Sequence, residues 1–151
     1  MGWETVSLAD TKIEKPAAVP AGTYVFTLQP GASYRQNPYN NIQELNVRFD
    51  VTDGEHAGRP VFVSYPDPTA LNREGKPMTW SAQALKKLEI SLGQDALPGE
   101  DTAAYLNRIA TNGNARVVAP LLPGKTYTDK KTGLERTEDP KFGIFDVQPA
   151  A

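Results

Sequence analysis

Residues 41–66, NIQELNVRFDVTDGEHAGRPVFVSYP, constrain this chain more than any other stretch. Leu45, Val47, Phe49 and Val51 alternate with Glu44, Asn46, Arg48 and Asp50, the period of a half-buried strand. Asp53-Gly54 supplies a turn, and Gly58-Arg59-Pro60 ends the connection. Val61, Val63 and Tyr65 then alternate with Phe62 and Ser64, so the stretch reads as two antiparallel strands joined by a loop of about eight residues. Such a ribbon buries one face on a core and shows the other to a ligand.

The rest of the chain supplies material to close a small barrel around that ribbon. Residues 23–28 read as an earlier strand with Tyr24, Phe26 and Leu28 on one side. Residues 31–41 read as a polar loop, and 66–80 are too rich in proline and turn formers to be regular. A helix is expected to start at Ser81 as N-cap, to carry Ala82, Leu85, Leu88 and Leu92 on its apolar side, and to stop at Gly93. A second is expected over 100–110, with acidic Glu100 and Asp101 at its positive end and Ala103, Leu106, Ile109 and Ala110 as its stripe. Residues 114–122 and 142–147 read as fourth and fifth strands. Three strands, a helical segment and two more strands is the order of the OB-fold, a partly open Greek-key barrel whose face and loops bind single strands. The expectation is therefore a mainly β protein: a five-stranded OB-fold-like barrel with a helical insert between strands 3 and 4. Other five-stranded barrels and a sandwich share that order. Residues 1–20 read as an N-terminal arm, 21–148 as one domain and 149–151 as a short tail.

Enzyme chemistry finds few residues to use. There is no cysteine, and His56 is the only histidine, so thiolate metal sites and a Cys-His pair are excluded and a serine triad would need His56. His56 sits in a turn-rich loop, where a solvated surface histidine is the plainer reading. Asp50, Asp53 and Glu55 match no cation-binding loop. LPGKT at 122–126 ends like a phosphate-binding loop, but the glycine needed five residues before Gly124 is Ala119. No catalytic residue, metal or cofactor is expected. No stretch approaches the roughly 20 apolar residues of a membrane span, and the start lacks a basic-then-apolar signal segment, so a soluble, cytoplasmic protein is expected.

A formal charge of −2 argues against wholesale coating of nucleic acid and places any such binding on a local surface. Nonspecific single-strand binders combine cations along the phosphates with flat side chains on which bases stack. Tyr34, Arg35 and Tyr39 bring both to the loop after the first strand. Lys125, Tyr127, Lys130, Lys131 and Arg136 bring both to the loop before the last, where residues 125–136 hold four cations and two anions. Arg48 projects from the polar side of the second strand, and Phe62 is on the opposite parity from Val61 and Val63. In an OB-fold these two loops and the face of strands 2 and 3 line one groove. Each residue also has a plainer role: covering a barrel end, solvating a hairpin tip, or, for Phe62, filling the core.

PAGTYVFTL, ELNVRFDVTDGEHAGRPVFVSY and ALKKLEISLG together resemble an uncharacterised family of small bacteriophage proteins, similar to OB-fold single-stranded DNA-binding proteins. The likeness covers residues 20–93 well, the last two strands loosely, and is sharpest over Asp53 to Arg59. It implies a non-catalytic protein that binds single-stranded DNA in replication or recombination inside a bacterial host. Phage recombination or replication proteins would be further partners, and self-association is compatible with it. The alternative is a viral structural or protein-interaction module, a virion component or host-protein binder.

Overall fold

The structure, a computed structural model, describes Ser7, Ala9 and residues 18–150. Of the expected N-terminal arm only Ser7, Ala9 and residues 18–20 are described, and Val19 among them is buried in the core. In chain order the elements are β1 (Gly22–Leu28), β2 (Ser33–Gln36), β3 (Gln43–Val51), β4 (Pro60–Pro66), α1 (Thr79–Leu92), α2 (Thr102–Asn112), β5 (Arg116–Leu122), β6 (Thr126–Thr128), β7 (Glu135–Thr137), β8 (Lys141–Phe142) and β9 (Gln148–Pro149). Strand outweighs helix, and the fold is mainly β.

The alternation in the central ribbon sets the layers. Leu45, Val47, Phe49 and Val51 of β3 are buried, as are Val63 and Tyr65 of β4, while Arg48, Phe62 and Ser64 are exposed. Burying one such large side chain contributes about 1.5–3 kcal/mol, which fixes the side of the sheet that faces the core. Phe26 and Phe49 meet Phe142 beneath the sheet, Phe142 stacking on Phe49 with ring centroids 4.8 Å apart and meeting Phe26 edge-on at 5.2 Å. That contact fastens the last part of the chain under the first strands.

All pairings in the main sheet are antiparallel. β3 pairs along one side with β4 and along the other with β1 and β2. β5 pairs with β1 and, across its other side, with β8 and β9. β1 and β2 lie end to end against β3, but Leu28 faces Phe49 whereas Ser33, not residue 31, faces Asn46. Two extra residues are thus accommodated in a bulge between them, and a bulge bends the strand that carries it. Asn107 of α2 holds the bulge: its Oδ1 accepts from the N–H groups of Gly31 and Ala32 at 2.8 and 2.9 Å, and its Nδ2 donates to the Ala32 carbonyl at 3.0 Å.

Several expectations need correction. The sheet is not closed into a barrel: β4 pairs with β3 alone among the described residues. The expected fifth strand is reduced to the two-residue ladders β8 and β9, because a turn at 143–146 separates them (Asp146 N–H to the Gly143 carbonyl, 3.0 Å). Gly143 fits there for want of a side chain, since a Cβ would stand 2.9 Å from the Pro120 ring. The expected 31–41 loop contains β2, and the loop before the last strand contains the separate β6–β7 hairpin. Ser81 is not a cap. It lies inside α1, buried, and its hydroxyl donates to the Pro66 carbonyl at 2.7 Å, tying α1 to the end of β4. α1 does end at Gly93 in the left-handed conformation. α2 starts later than expected, with Asp101 as N-cap accepting from Ala104 N–H, and buries Tyr105 beside Ala103, Leu106 and Ile109.

The free edge of β4 is short of donors. Val51 N–H bonds to the Arg59 carbonyl and Asp67 N–H to the Gln43 carbonyl, which gives the odd-numbered residues of β4 to β3. The even-numbered ones face away, and two of these, Pro60 and Pro66, have no N–H.

Two outcomes follow from these contacts. Asn107→Ala leaves the bulge's backbone groups without partners and lowers stability by about 2 kcal/mol in urea unfolding. Glu100 accepts from Arg108 at 2.9 Å and from Leu97 N–H, and these bonds, Arg108 foremost, hold its carboxyl at about 2, well below 4.5. A depressed carboxylate stabilises fully above its unfolded value and stops doing so as the pH falls towards the folded one. Acid unfolding curves between pH 4.5 and 2 will therefore be flatter for Glu100→Gln than for the wild-type chain.

Candidate nucleic-acid interface

Residues paired across antiparallel strands project from the same face. On the outward face of β3–β4, Arg48 stands opposite Phe62 and Asn46 opposite Ser64; β2 adds Arg35 opposite Glu44 and Ser33 opposite Asn46. The structure thus brings Arg35, Arg48 and Phe62 onto one surface. Phe62 is 72% exposed, a large ring left in water that the core does not use. Arg48 Nε pairs with Asp50 Oδ1 at 2.8 Å, which extends the guanidinium along the sheet. Ser64 Oγ donates to Asn46 Oδ1 at 2.6 Å, leaving the Asn46 amide hydrogens for another acceptor.

Tyr39 sits beside this face on the 37–41 turn and is 96% exposed. The turn is held by Tyr39 N–H on Asn37 Oδ1 at 2.8 Å and by Gln36 Nε2 on the Asn41 carbonyl at 3.1 Å. Arg35, Tyr39 and Asn46 line one shallow hollow of about 190 Å3. A second hollow, of about 520 Å3, runs from Phe62 to Lys141 and Phe142 at the unclosed side of the sheet.

The hairpin candidates belong to their own ribbon. Tyr127 pairs opposite Arg136, so both project from one face of β6–β7, and Arg136 Nε bonds Asp129 Oδ2 at 3.0 Å. Lys130 and Lys131 form the tip, where Asp129 Oδ1 accepts from Lys131 N–H. Lys125 is at the base, its carbonyl accepting from Glu138 N–H at 2.9 Å. That base joins residues 138–141, which border the hollow beside Phe62.

Tyr34 is the exception. It faces the helices, on the side of the sheet opposite Arg35, and its hydroxyl donates to Asp101 Oδ1 at 2.7 Å and accepts from Ala103 N–H at 3.4 Å. Burial and then the neighbouring Asp101 raise the phenol's pKa, and the same bond leads the causes that lower that of Asp101. Tyr34 docks the start of α2.

Three residues on or beside the outward face were not singled out in the sequence: Asn46, Lys141 and Arg116, the last opposite Thr27, which itself faces Asp50. Their signal was available only through register. The face is electrically mixed, since Glu44 and Asp50 lie among its arginines. His56 packs its ring edge against Tyr24 with centroids 6.2 Å apart. Among the described residues no group of three or more His, Asp or Glu is placed to hold a metal ion, and no helix is long and apolar enough to cross a membrane. No protein-family model, characterised protein or solved structure matches the chain.

The docking role of Tyr34 is checked by Tyr34→Phe. This variant should lose about 1 kcal/mol in urea unfolding.

Proposed function

We propose that the protein binds single-stranded DNA without sequence preference and without catalysis, in phage replication or recombination within a bacterial host. The observation that carries this reading is the outward face of β2, β3 and β4, where the register sets the exposed ring of Phe62 opposite Arg48 and on the same side as Arg35. Bases stack on Phe62 and Tyr39, each stack contributing about 1–3 kcal/mol. Arg35 and Arg48 neutralise phosphates, and the hairpin adds Tyr127, Lys125, Lys130, Lys131 and Arg136. Because Glu44 and Asp50 offset the arginines, stacking supplies a larger share of the affinity than in a uniformly basic groove.

The pairing order supports reading the sheet as an opened five-stranded OB-fold. Counted as one interrupted strand, β1 and β2 pair with both β3 and β5, and the two helices then fall between the third and fourth strands. A second reading, a viral protein-interaction module, has one observation behind it: Trp80 and Phe145 are both exposed, with ring centroids 6.1 Å apart.

Fluorescence anisotropy with a labelled oligothymidine decides between them. Binding is expected at low salt, with log affinity falling at a slope of about −0.7 per phosphate neutralised. Phe62→Ala weakens it by about tenfold or more with folding intact. No binding at micromolar protein and low salt removes the strand-binding reading.

A further inference from the structure

On the side of the sheet away from Phe62, the two helices leave a cleft of about 430 Å3 against β3 and β4, within the size range of small-molecule sites. Leu45 and Leu85 give it apolar walls, and Tyr34, Tyr65, Asp67 and Asp101 line it with polar groups. Tyr65 is only 1% exposed, and its hydroxyl is the one buried side-chain polar atom without a hydrogen-bond partner among the described residues. Folded chains pair the large majority of such groups, so an orphan hydroxyl on a residue that borders a cleft points to a partner that the chain does not supply.

The carboxylates define what that partner carries. Asp67 Oδ1 accepts from the N–H and hydroxyl of Thr69 at 2.9 and 2.7 Å, which leaves Oδ2 open. Asp101 takes Tyr34 on one oxygen and Ala104 N–H on the other, each oxygen keeping a second lone pair. Thr69 for the first, and Tyr34 for the second, lead the causes that hold these groups ionised, whereas burial keeps the Tyr65 phenol neutral and able to donate. An alkylammonium would satisfy the carboxylates but brings no acceptor for Tyr65. An amino acid would bring its own carboxylate beside two others.

We propose that this cleft binds a flat, neutral heterocycle of nucleobase size bearing an exocyclic amine, the amine donating to Asp67 and a ring or carbonyl acceptor taking the Tyr65 proton. The inference does not rest on strand binding, because the sheet separates this cleft from Phe62 and free nucleosides are its probe.

Isothermal titration of the full chain with deoxycytidine, deoxyadenosine and thymidine tests it. The first two bind, and thymidine, which lacks an exocyclic amine, binds about tenfold more weakly or worse. Asp67→Asn keeps the acceptor for Thr69 but loses the charge, and weakens deoxycytidine by about tenfold. Tyr65→Phe also weakens it while leaving the urea midpoint unchanged or raised, since it deletes an unpaired polar atom. Nucleoside binding without oligothymidine binding leaves this inference standing and removes the other. No binding of deoxycytidine or deoxyadenosine at millimolar concentration, equal binding of thymidine, or unchanged affinity in either variant overturns it.

Discussion

The grip of Asn107 on the bulge at Gly31 and Ala32 is the contact on which the rest of the molecule depends. A strand that serves β5 with its first half and β3 with both halves must bend, and the bend strips backbone groups of their ladder partners. One amide side chain, presented from the middle of a helix, replaces those partners. It also places α2 across the break, so the helix that repairs the strand is the one whose start Tyr34 caps through Asp101. Strand geometry and helix position are therefore a single constraint, met at three hydrogen bonds and closed at a fourth.

With that constraint in place the sheet becomes a plate with two unrelated sides. Leu45, Val47, Phe49 and Val51 of β3 and Val63 and Tyr65 of β4 reach the core, and Tyr65 also borders the helix-side cleft; even-numbered residues of the same strands make the outward face with Phe62 and Arg48. The period of two keeps the two surfaces chemically apart although they share one backbone. Substitutions on one side leave the register, and so the other side, in place.

What was legible in the sequence tracks what the physics makes periodic. The central ribbon was readable because Leu45, Val47, Phe49 and Val51 must all enter the core together, and the end of α1 because Gly93 takes a conformation that other residues resist. β2 was not, since SYRQ is exposed throughout and is held by main-chain bonds that leave no pattern in side-chain type. Missing β2 hid the fate of Tyr34: neighbours in a strand face opposite ways, so Tyr34 and Arg35 belong to different surfaces once the strand is known. Ser81 misled for a related reason, because a serine suited to capping was spent on the Pro66 carbonyl, a contact fixed by tertiary packing alone. The last strand failed to extend because the chain turns at 143–146, where Gly143 packs against the Pro120 ring of β5, a contact that apolar residues such as Ile144 and Val147 do not reveal.

The prolines that bracket β4 have a bearing on how the chain behaves in company. A marginal strand reading VFVSY, rich in β-branched and aromatic residues, is the kind of edge along which molecules zip together. With proline at both ends of the outward row, an arriving strand finds only the Phe62 and Ser64 N–H groups as donors, and of the proline carbonyls that of Pro66 is already occupied by Ser81. Missing donors of this kind are one way in which sheet edges are blunted. The bare phenylalanine at this margin thus stands on a strand whose outward row offers a second strand few main-chain donors.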